Sequence, residues 1–412
     1  MHGKRLAALL TILFISSSFA GCLNDSSDDS DNNDDTNANV DDNQTNNNTS
    51  SQNLQNNGTS DNSTGNNLVE QRKPALYESE LVVNNSEYVE QDAYLLFAAN
   101  GGDQIILMDK QLNLINVWNL TNRLGNDFEF MPNGDILGIF KADYPENVTN
   151  ICFGGCGGSI QIVDKDGNIK WRFDDFANSN TMLHHDVELL PNGNILAMAW
   201  QRLNLSEANA MGIESPTDIY YESIYEISYK DTEIVWEWHS IDHMVQDRNS
   251  SLPNYGNLTE NYHKIDFNYN SNNGKKGDIM HANGFDYDAE NQLIYFSVNF
   301  YNEIWVIDHS TNTTEAASSS GGNYGFGGDL VYRFGNPMAY GLNETALFDK
   351  NHHPNLIKDM NISGYGNMLV YSNAAGPGEN MSIVYELELP VDQYGATQVQ
   401  PTVIWNFSDE TM

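Results

Sequence analysis

Apolar and polar residues alternate in short runs along most of the chain from about residue 90 onward. Turns rich in Gly, Asn and Asp separate the runs, as in "LPNGN" (190–194) and "VDKDG" (163–167). Alternation with a period of two between such turns is typical of β-hairpins. No long segment has the helical period, so the pattern predicts an all-β protein.

Two kinds of hairpin recur along the chain. The first has an acidic turn and a strand ending in an aromatic residue, and it occurs five times: 105–120, 160–173, 224–238, 304–334 and 383–407. The second occurs four times: 128–140, 184–200, 280–298 and 352–373. Two hairpins make one four-stranded sheet, and radial repetition of such sheets makes a β-propeller. Because one half has one copy fewer, we expect an incomplete last blade and a truncated C-terminus.

Three of the ten histidines open copies of the second hairpin: His185, His281 and His353. The innermost strand of each blade lines the central channel, so the three imidazoles are expected to converge at one mouth. Strand alternation places their neighbours His184 and His352 on the opposite face. Three imidazoles can bind a metal, bind an anion or transfer a group. Zinc remains an alternative, because three histidines form one common catalytic zinc site.

Charge and composition restrict the possible partners. The 412 residues carry 19 basic and 57 acidic side chains, giving a formal net charge of −38. So acidic a chain offers phosphates no cationic surface, which argues against nucleic acid as a partner. Residues 23–70 are rich in Asp, Asn, Ser and Thr and are expected to form a disordered linker. The propeller is then expected over residues 71–412.

The N-terminal segment predicts export. Residues 1–22 have a basic start, an apolar run and small residues before Cys22, which is typical of a signal peptide. "FAGC" resembles a lipobox, in which Cys22 carries the lipid. The expected location is the outer face of the membrane or the cell surface, with the lipid anchor as the sole membrane contact. Cys152 and Cys156 are expected to close a small disulfide loop in an exported protein.

The segments around the histidines resemble a known family. "HHDVELLPNGNIL", "DIMHANGFDYDAENQLIYFS", "LVYRFGNP" and "NHHPNLI" followed by "MLVYSN" are similar to segments of the arylsulfate sulfotransferases. The resemblance covers roughly residues 90–412. It implies a six-bladed β-propeller that moves sulfate between phenols without a cofactor, so the complete expectation is six blades with the last one incomplete.

The resemblance also implies roles for individual residues. It makes His353 the nucleophile, with His281 and His185 as the other catalytic histidines. Asn283 matches the asparagine of the family's "HxN". Asn299 stands where the enterobacterial members have an active-site arginine, and Arg333 matches a "WRLGG" segment. These last three are the predicted substrate-binding residues.

The residues are chemically suited to sulfuryl transfer. A neutral imidazole is a competent nucleophile at neutral pH, and a phenolate is a tolerable leaving group because the pKa of phenols is about 10. The charge on the sulfuryl oxygens requires pre-placed donors, the role expected of His185 and His281. The expected substrates are small aryl sulfates and phenols. The alternatives are a non-catalytic binding propeller and a metalloprotein with a histidine site.

Overall fold

The computed structural model describes residues 94–99, 101–142, 152–174, 180–272, 275–374, 381–395 and 399–408. They all belong to one compact unit. The predicted signal peptide, Cys22 and the predicted linker over residues 23–70 lie outside the described residues. Within the described part, no helix has both the length and the apolar character needed to cross a membrane.

Strands dominate the described chain, as the alternating pattern predicted. Most strands follow one another in antiparallel pairs through tight turns, and β12 and β13 form a separate short parallel pair. In chain order the strands are β1 (Tyr94–Ala98), β2 (Gln104–Asp109), β3 (Leu114–Asn119), β4 (Leu124–Phe130), β5 (Ile136–Lys141), β6 (Gly158–Val163), β7 (Ile169–Asp174), β8 (Thr181–Leu189), β9 (Ile195–Leu203), β10 (Ile219–Ile227), β11 (Ile234–His239), β12 (Met244–Val245), β13 (Ile265–Asp266), β14 (Ala282–Asp288), β15 (Leu293–Val298), β16 (Glu303–Asp308), β17 (Tyr332–Phe334), β18 (Asp349–Leu356), β19 (Met368–Ala374), β20 (Ile383–Glu388) and β21 (Thr402–Ser408).

Helices are short and lie in the connections. Two short α-helices are capped by asparagine side chains in capping boxes. They are α1 (Leu205–Ala210) and α2 (Thr313–Ala316). The 3₁₀ segments are Ser240–His243, Phe267–Tyr269, Lys275–Gly277, Asn299–Tyr301, Pro337–Tyr340 and Val391–Gln393.

The strands form five blade sheets. The first contains β1–β2–β3, and the others contain β4–β5–β6–β7, β8–β9–β10–β11, β14–β15–β16–β17 and β18–β19–β20–β21. The predicted all-β propeller arrangement is confirmed. The predicted number of blades is wrong for the described residues, because five copies of the first hairpin produce five sheets. The three-stranded sheet comes first in the chain, because there are only four copies of the second hairpin.

Neighbouring sheets pack face to face over separate apolar cores. One buried cluster lies between each successive pair of sheets, from the first pair to the fourth. Large aromatic residues fill these layers: Trp118, Trp200, Trp238 and Trp305 are almost completely buried. The first strands β4, β8, β14 and β18 contact one another in that order, so they are the innermost strands of adjacent blades.

Carboxylates that are buried or half-buried join these innermost strands. Each accepts a backbone N–H from the next blade: Glu129 from Leu189 at 3.0 Å, Glu188 from Tyr287 at 2.9 Å and Asp286 from Leu356 at 2.6 Å. Burial raises the pKa of Glu129 to about 8 and that of Glu188 to about 7. Carboxyl groups therefore line the channel wall, and Lys358 binds both Asp286 and Glu188.

Candidate active site

The three predicted histidines share one backbone conformation. The φ angles of His185, His281 and His353 are 51°, 48° and 44°. A positive φ is uncommon for a residue other than glycine and costs about 1–2 kcal/mol. Each lies beside a register shift in an innermost strand, which is the mark of a β-bulge. Strain repeated at equivalent positions of three blades points to a functional site.

The bulge in β8 brings His184 and His185 into contact, contrary to the alternation predicted from the sequence. Their Nδ1 atoms lie 2.8 Å apart, and the Nε2 atom of His184 lies 3.0 Å from Oε2 of Glu222. Oε1 of Glu222 accepts hydrogen bonds from Nε1 of Trp200 at 3.2 Å and from the backbone N–H of Ala282 at 2.8 Å. The His184 ring stacks on Trp200 with 3.8 Å between the ring centroids. A continuous chain of polar contacts therefore runs from His185 to Glu222.

This chain is closed to water along most of its length. His184 and Glu222 have no solvent exposure, and His185 is 3% exposed. Burial lowers the pKa of both imidazoles well below the usual range and raises the pKa of Glu222 well above it. Both rings are therefore neutral at neutral pH, and the affinities of the carboxylate and the imidazoles for a proton are brought closer together.

His281 forms a second carboxylate–imidazole pair next to the first. Its Nδ1 atom lies 2.6 Å from Oδ2 of Asp278, whose Oδ1 accepts the backbone N–H of His281 at 3.0 Å. The ring stacks on Phe300 and lies 5.2 Å from the ring of His185, centroid to centroid. The structure thus brings two of the three predicted histidines together.

A disulfide loop covers this histidine pair. Cys152 and Cys156 are joined by a disulfide bond, and the carbonyl of Gly155 between them accepts the backbone N–H of His185 at 2.8 Å. A β-carbon added at Gly155 would lie 2.3 Å from the His185 ring, and the φ angle there is +63°. Only glycine fits this approach.

The rest of the loop packs against the same group of rings. A β-carbon at Gly154 would lie 3.6 Å from Cε1 of His281. Phe153 makes an edge contact with Trp200 at 5.1 Å between centroids, and Trp200 is the ring on which His184 stacks. The loop therefore forms one wall of the site, a role that its spacing in the sequence did not indicate.

His353 has different surroundings. A β-carbon at Gly284 would lie 3.2 Å from Cα of His353, so the two innermost strands approach closely beside Asn283. The His353 side chain is exposed, and no described residue hydrogen-bonds to its ring. Burial raises the pKa of Asp127 and Asp286, and a positive charge on His353 opposes that rise in both. The ring therefore lies on the acidic channel side.

His352 turns the other way. Its ring is buried, with Nδ1 3.0 Å from the carbonyl of Lys350. It lies close enough to His185 for its charge to add to the effect of burial and lower the pKa of His185. In this second pair, His352 thus lies toward the buried His185, and His353 faces the channel.

Both predicted substrate-binding asparagines hold the backbone before His353. The Nδ2 atoms of Asn283 and Asn299 lie 3.0 and 3.2 Å from the carbonyl oxygen of Asn351. Oδ1 of Asn283 is buried and has no hydrogen-bond partner in the described part of the chain. The backbone N–H of Asn299 bonds to the carbonyl of His281 at 3.3 Å, so these two amides connect the second and third histidine strands.

Arg333 lies in the outermost strand of its blade. Its guanidinium binds both oxygens of Glu303 and donates to the carbonyl of Lys264 at 2.8 Å. The side chain is 1% exposed and also packs on Tyr340. These contacts stabilise the blade, and no contact between described residues joins Arg333 to the three histidines.

A comparison with models of known protein families identifies the family of this chain. A family model described as arylsulfotransferase (ASST) matches residues 117–382, which is more than half of the chain and includes all three histidines. The chain belongs to the arylsulfotransferase family. It is accordingly a sulfotransferase, and the family implies aryl sulfates and phenols as substrates.

Several solved structures are distantly similar to the chain. A protein of unknown function from Bacteroides caccae is 12% identical, with 74% of this chain and 72% of that chain covered and a TM-score of 0.38. A functionally unknown protein from Desulfotomaculum acetoxidans is 9% identical, with coverage of 77% and 80% and a TM-score of 0.37. A luciferin-regenerating enzyme is 11% identical, with coverage of 76% and 72% and a TM-score of 0.36. No curated protein matches the chain significantly.

Several residues of this arylsulfotransferase site were missed in the sequence. Glu222 lies on the third strand of its blade, and only the three-dimensional packing brings it to His184. Asp278 precedes His281 by three residues, so the "DIMH" spacing carried a usable signal. Across the described ranges, no three His, Cys, Asp or Glu side chains are arranged to hold a metal ion.

Proposed function

We propose that the protein transfers a sulfuryl group from an aryl sulfate to a phenolic acceptor through a sulfohistidine at His353. The observation that carries the proposal is the repeated bulge, with a positive φ at His185, His281 and His353, which lie on or immediately before three successive innermost strands. Equivalent positions on adjacent blades support the proposal that the three residues act at one channel.

His353 has the properties of a nucleophile. Its exposed ring has no described hydrogen-bond partner, so a nitrogen lone pair is available for attack on sulfur. Attack forms an N–S bond and expels the aryl oxide, and the acceptor phenol then takes the sulfuryl group and restores the imidazole. Asn283 and Asn299 fix the preceding carbonyl of Asn351 and thereby the position of the histidine.

The buried histidines His281 and His185 interact with the transferred sulfuryl group and with the aryl oxygen. The Asp278 carboxylate lies 2.6 Å from Nδ1 of His281 and orients this ring for electrostatic stabilisation of the transferred group. His185 lies beside it. This arrangement supplies donors at the site without the arginine that Asn299 replaces.

The proposal is tested with purified protein, p-nitrophenyl sulfate and a phenol, without added metal or nucleotide. Release of p-nitrophenol together with formation of a sulfated acceptor is expected. Absence of both products from folded protein would contradict the proposal and favour a binding propeller. Activity lost with a chelator and restored by zinc would favour a metalloenzyme.

We also propose that the protein is exported and held at the outer face of the membrane by a lipid on Cys22. The support is the signal-like sequence over residues 1–22, ending in "FAGC". The full-length chain is expected in the membrane fraction, and Cys22→Ser is expected to release it. Equal membrane association of the two forms would contradict the anchor.

A further inference from the structure

The contacts of His185 specify where its proton lies. Oε1 of Glu222 accepts two hydrogen bonds from groups that can only donate, the Trp200 indole and the Ala282 amide. Any proton on this carboxyl must therefore lie on Oε2, which faces Nε2 of His184. The Nδ1 atoms of His184 and His185 face each other at 2.8 Å, so one of them carries a proton and the other accepts it.

These constraints allow two neutral-ring states that differ by one proton. When Glu222 is ionised, His184 donates from Nε2 and accepts at Nδ1, and His185 donates from Nδ1. The Nε2 atom of His185 then presents a lone pair. When Glu222 is protonated, every hydrogen bond in the chain reverses, and the Nε2 atom of His185 carries a proton. No described residue hydrogen-bonds to this atom, which lies next to Gly155 of the disulfide loop and ends the chain of polar contacts.

We infer that Glu222, His184 and His185 form a proton relay that serves the aryl oxygen in both halves of the sulfuryl transfer, an inference that rests on the proposed function. When the donor reacts, the bond between sulfur and the aryl oxygen breaks and a bond from sulfur to His353 forms. The aryl oxide takes the Nε2 proton of His185. His185 takes the Nδ1 proton of His184, and His184 takes the Oε2 proton of Glu222.

The acceptor half reverses each step. The phenol oxygen bonds to sulfur as the bond between sulfur and His353 breaks, and the phenol proton goes to Nε2 of His185. The Nδ1 proton of His185 moves to His184, and the Nε2 proton of His184 moves to Glu222. The charge change is thus transferred to a buried carboxylate, and neither ring has to remain an imidazolium. His185 is the catalytic residue, and His184 and Glu222 are positioning residues that act through it.

The electrostatic surroundings agree with this exchange. Burial depresses the pKa of both imidazoles and raises that of Glu222, so a proton can be shared between groups whose ordinary affinities differ. The charged or titratable groups facing the relay are Asp278, His281 and His352. Asp278 opposes ionisation of Glu222, whereas His281 favours it.

Glu222→Gln tests the relay through its dependence on the leaving group. An aryl oxide that leaves readily, such as p-nitrophenolate, has little need of a proton, whereas p-methylphenolate has a strong need. We expect kcat/KM to fall about 100- to 10,000-fold with p-methylphenyl sulfate, the range of general acid catalysis, and far less with p-nitrophenyl sulfate. An equal loss for both substrates would indicate a structural role and overturn the relay.

Glu226→Gln is the matched control. Glu226 lies four residues along the same strand, is also buried, and pairs with His309 at 3.0 Å instead of with the relay. This variant is expected to keep the wild-type dependence on the leaving group. The same altered dependence in both variants would overturn the assignment to Glu222.

Nitrogen NMR of labelled histidines provides a test that needs no turnover. In the wild type, His184 and His185 are expected to exchange tautomers together in one pH transition, with neither becoming an imidazolium. In Glu222→Gln, Oε1 keeps its two donors and the amide NH₂ faces His184, so both rings should stay in the low-pH tautomers. Fixed tautomers in the wild type would overturn the relay, whether or not Glu222→Gln folds. If the wild type turns over no aryl sulfate but shows the coupled switch, the proposed function fails, and only the coupled proton exchange among Glu222, His184 and His185 stands.

Discussion

Two histidine pairs occupy the same place in two blades and have opposite surroundings. His184–His185 and His352–His353 share the sequence, the bulge and the positive φ of the second residue. The first pair is buried, bound to Glu222 and covered by the disulfide loop. In the second pair, His352 is buried and His353 is exposed toward Asp127 and Asp286. The bulge sets the direction of the side chains, and the neighbouring blades give them different surroundings, which fit the proposed proton exchange at His185 and the proposed nucleophilic attack at His353.

Substitution of the second residue of each pair should give the largest difference. His353→Ala removes the nucleophile, so sulfuryl transfer should be lost completely. His185→Ala removes a group that assists the charge and the proton, so activity should fall by about 100- to 1000-fold. Steady-state rates with p-nitrophenyl sulfate measure both effects. Equal residual activity in the two variants would remove the distinction between the pairs.

A substitution in the disulfide loop that covers His184 and His185 should give the next largest loss of activity. Gly155→Ala places a methyl group 2.3 Å from the His185 ring, so we expect a loss of activity of at least about 10-fold. Gly193→Ala is the matched control, because its φ of +86° is also positive but open space surrounds it. Both should lose about 1 kcal/mol of stability from the backbone alone. Equal activities of the two variants would show that the loop does not position His185.

The sequence predicted the propeller and the equivalence of the three histidines, because alternation and turns are local signals. It did not predict the contact of His184 with His185, because a bulge breaks the alternation of side chains at that point. Glu222 was not predicted either, since its contacts with His184 and Ala282 join three strands of two blades. The expectation for Arg333 came from resemblance alone, and the structure places its guanidinium on Glu303.

Substitution of Glu129 in the channel wall should give the smallest effect on activity, and its effect is measured instead through the pH dependence of stability. The pKa of Glu129 is raised from 4.5 to about 8 by burial, so its contribution to stability is full below about pH 4.5 and is lost as the pH rises through 8. Glu129→Gln cannot ionise, and its fall in Tm between about pH 5 and pH 8 should be smaller by several degrees, as expected for about 3 kcal/mol from a pKa raised to about 8. Thermal unfolding measures this difference. Glu233→Gln, at an exposed position, should retain the wild-type fall, and an unchanged fall in Glu129→Gln would contradict the buried-carboxyl argument.

The most direct test of the account is the location of the sulfuryl group on the protein. The enzyme is incubated with an aryl sulfate in the absence of acceptor, digested at neutral pH and analysed by peptide mass spectrometry. The account predicts one sulfuryl group on His353 in the wild type and in His185→Ala, none in His353→Ala, and loss of the label when a phenol is added. A label on His185 or His281, or product formation by protein that never carries a label, would contradict it.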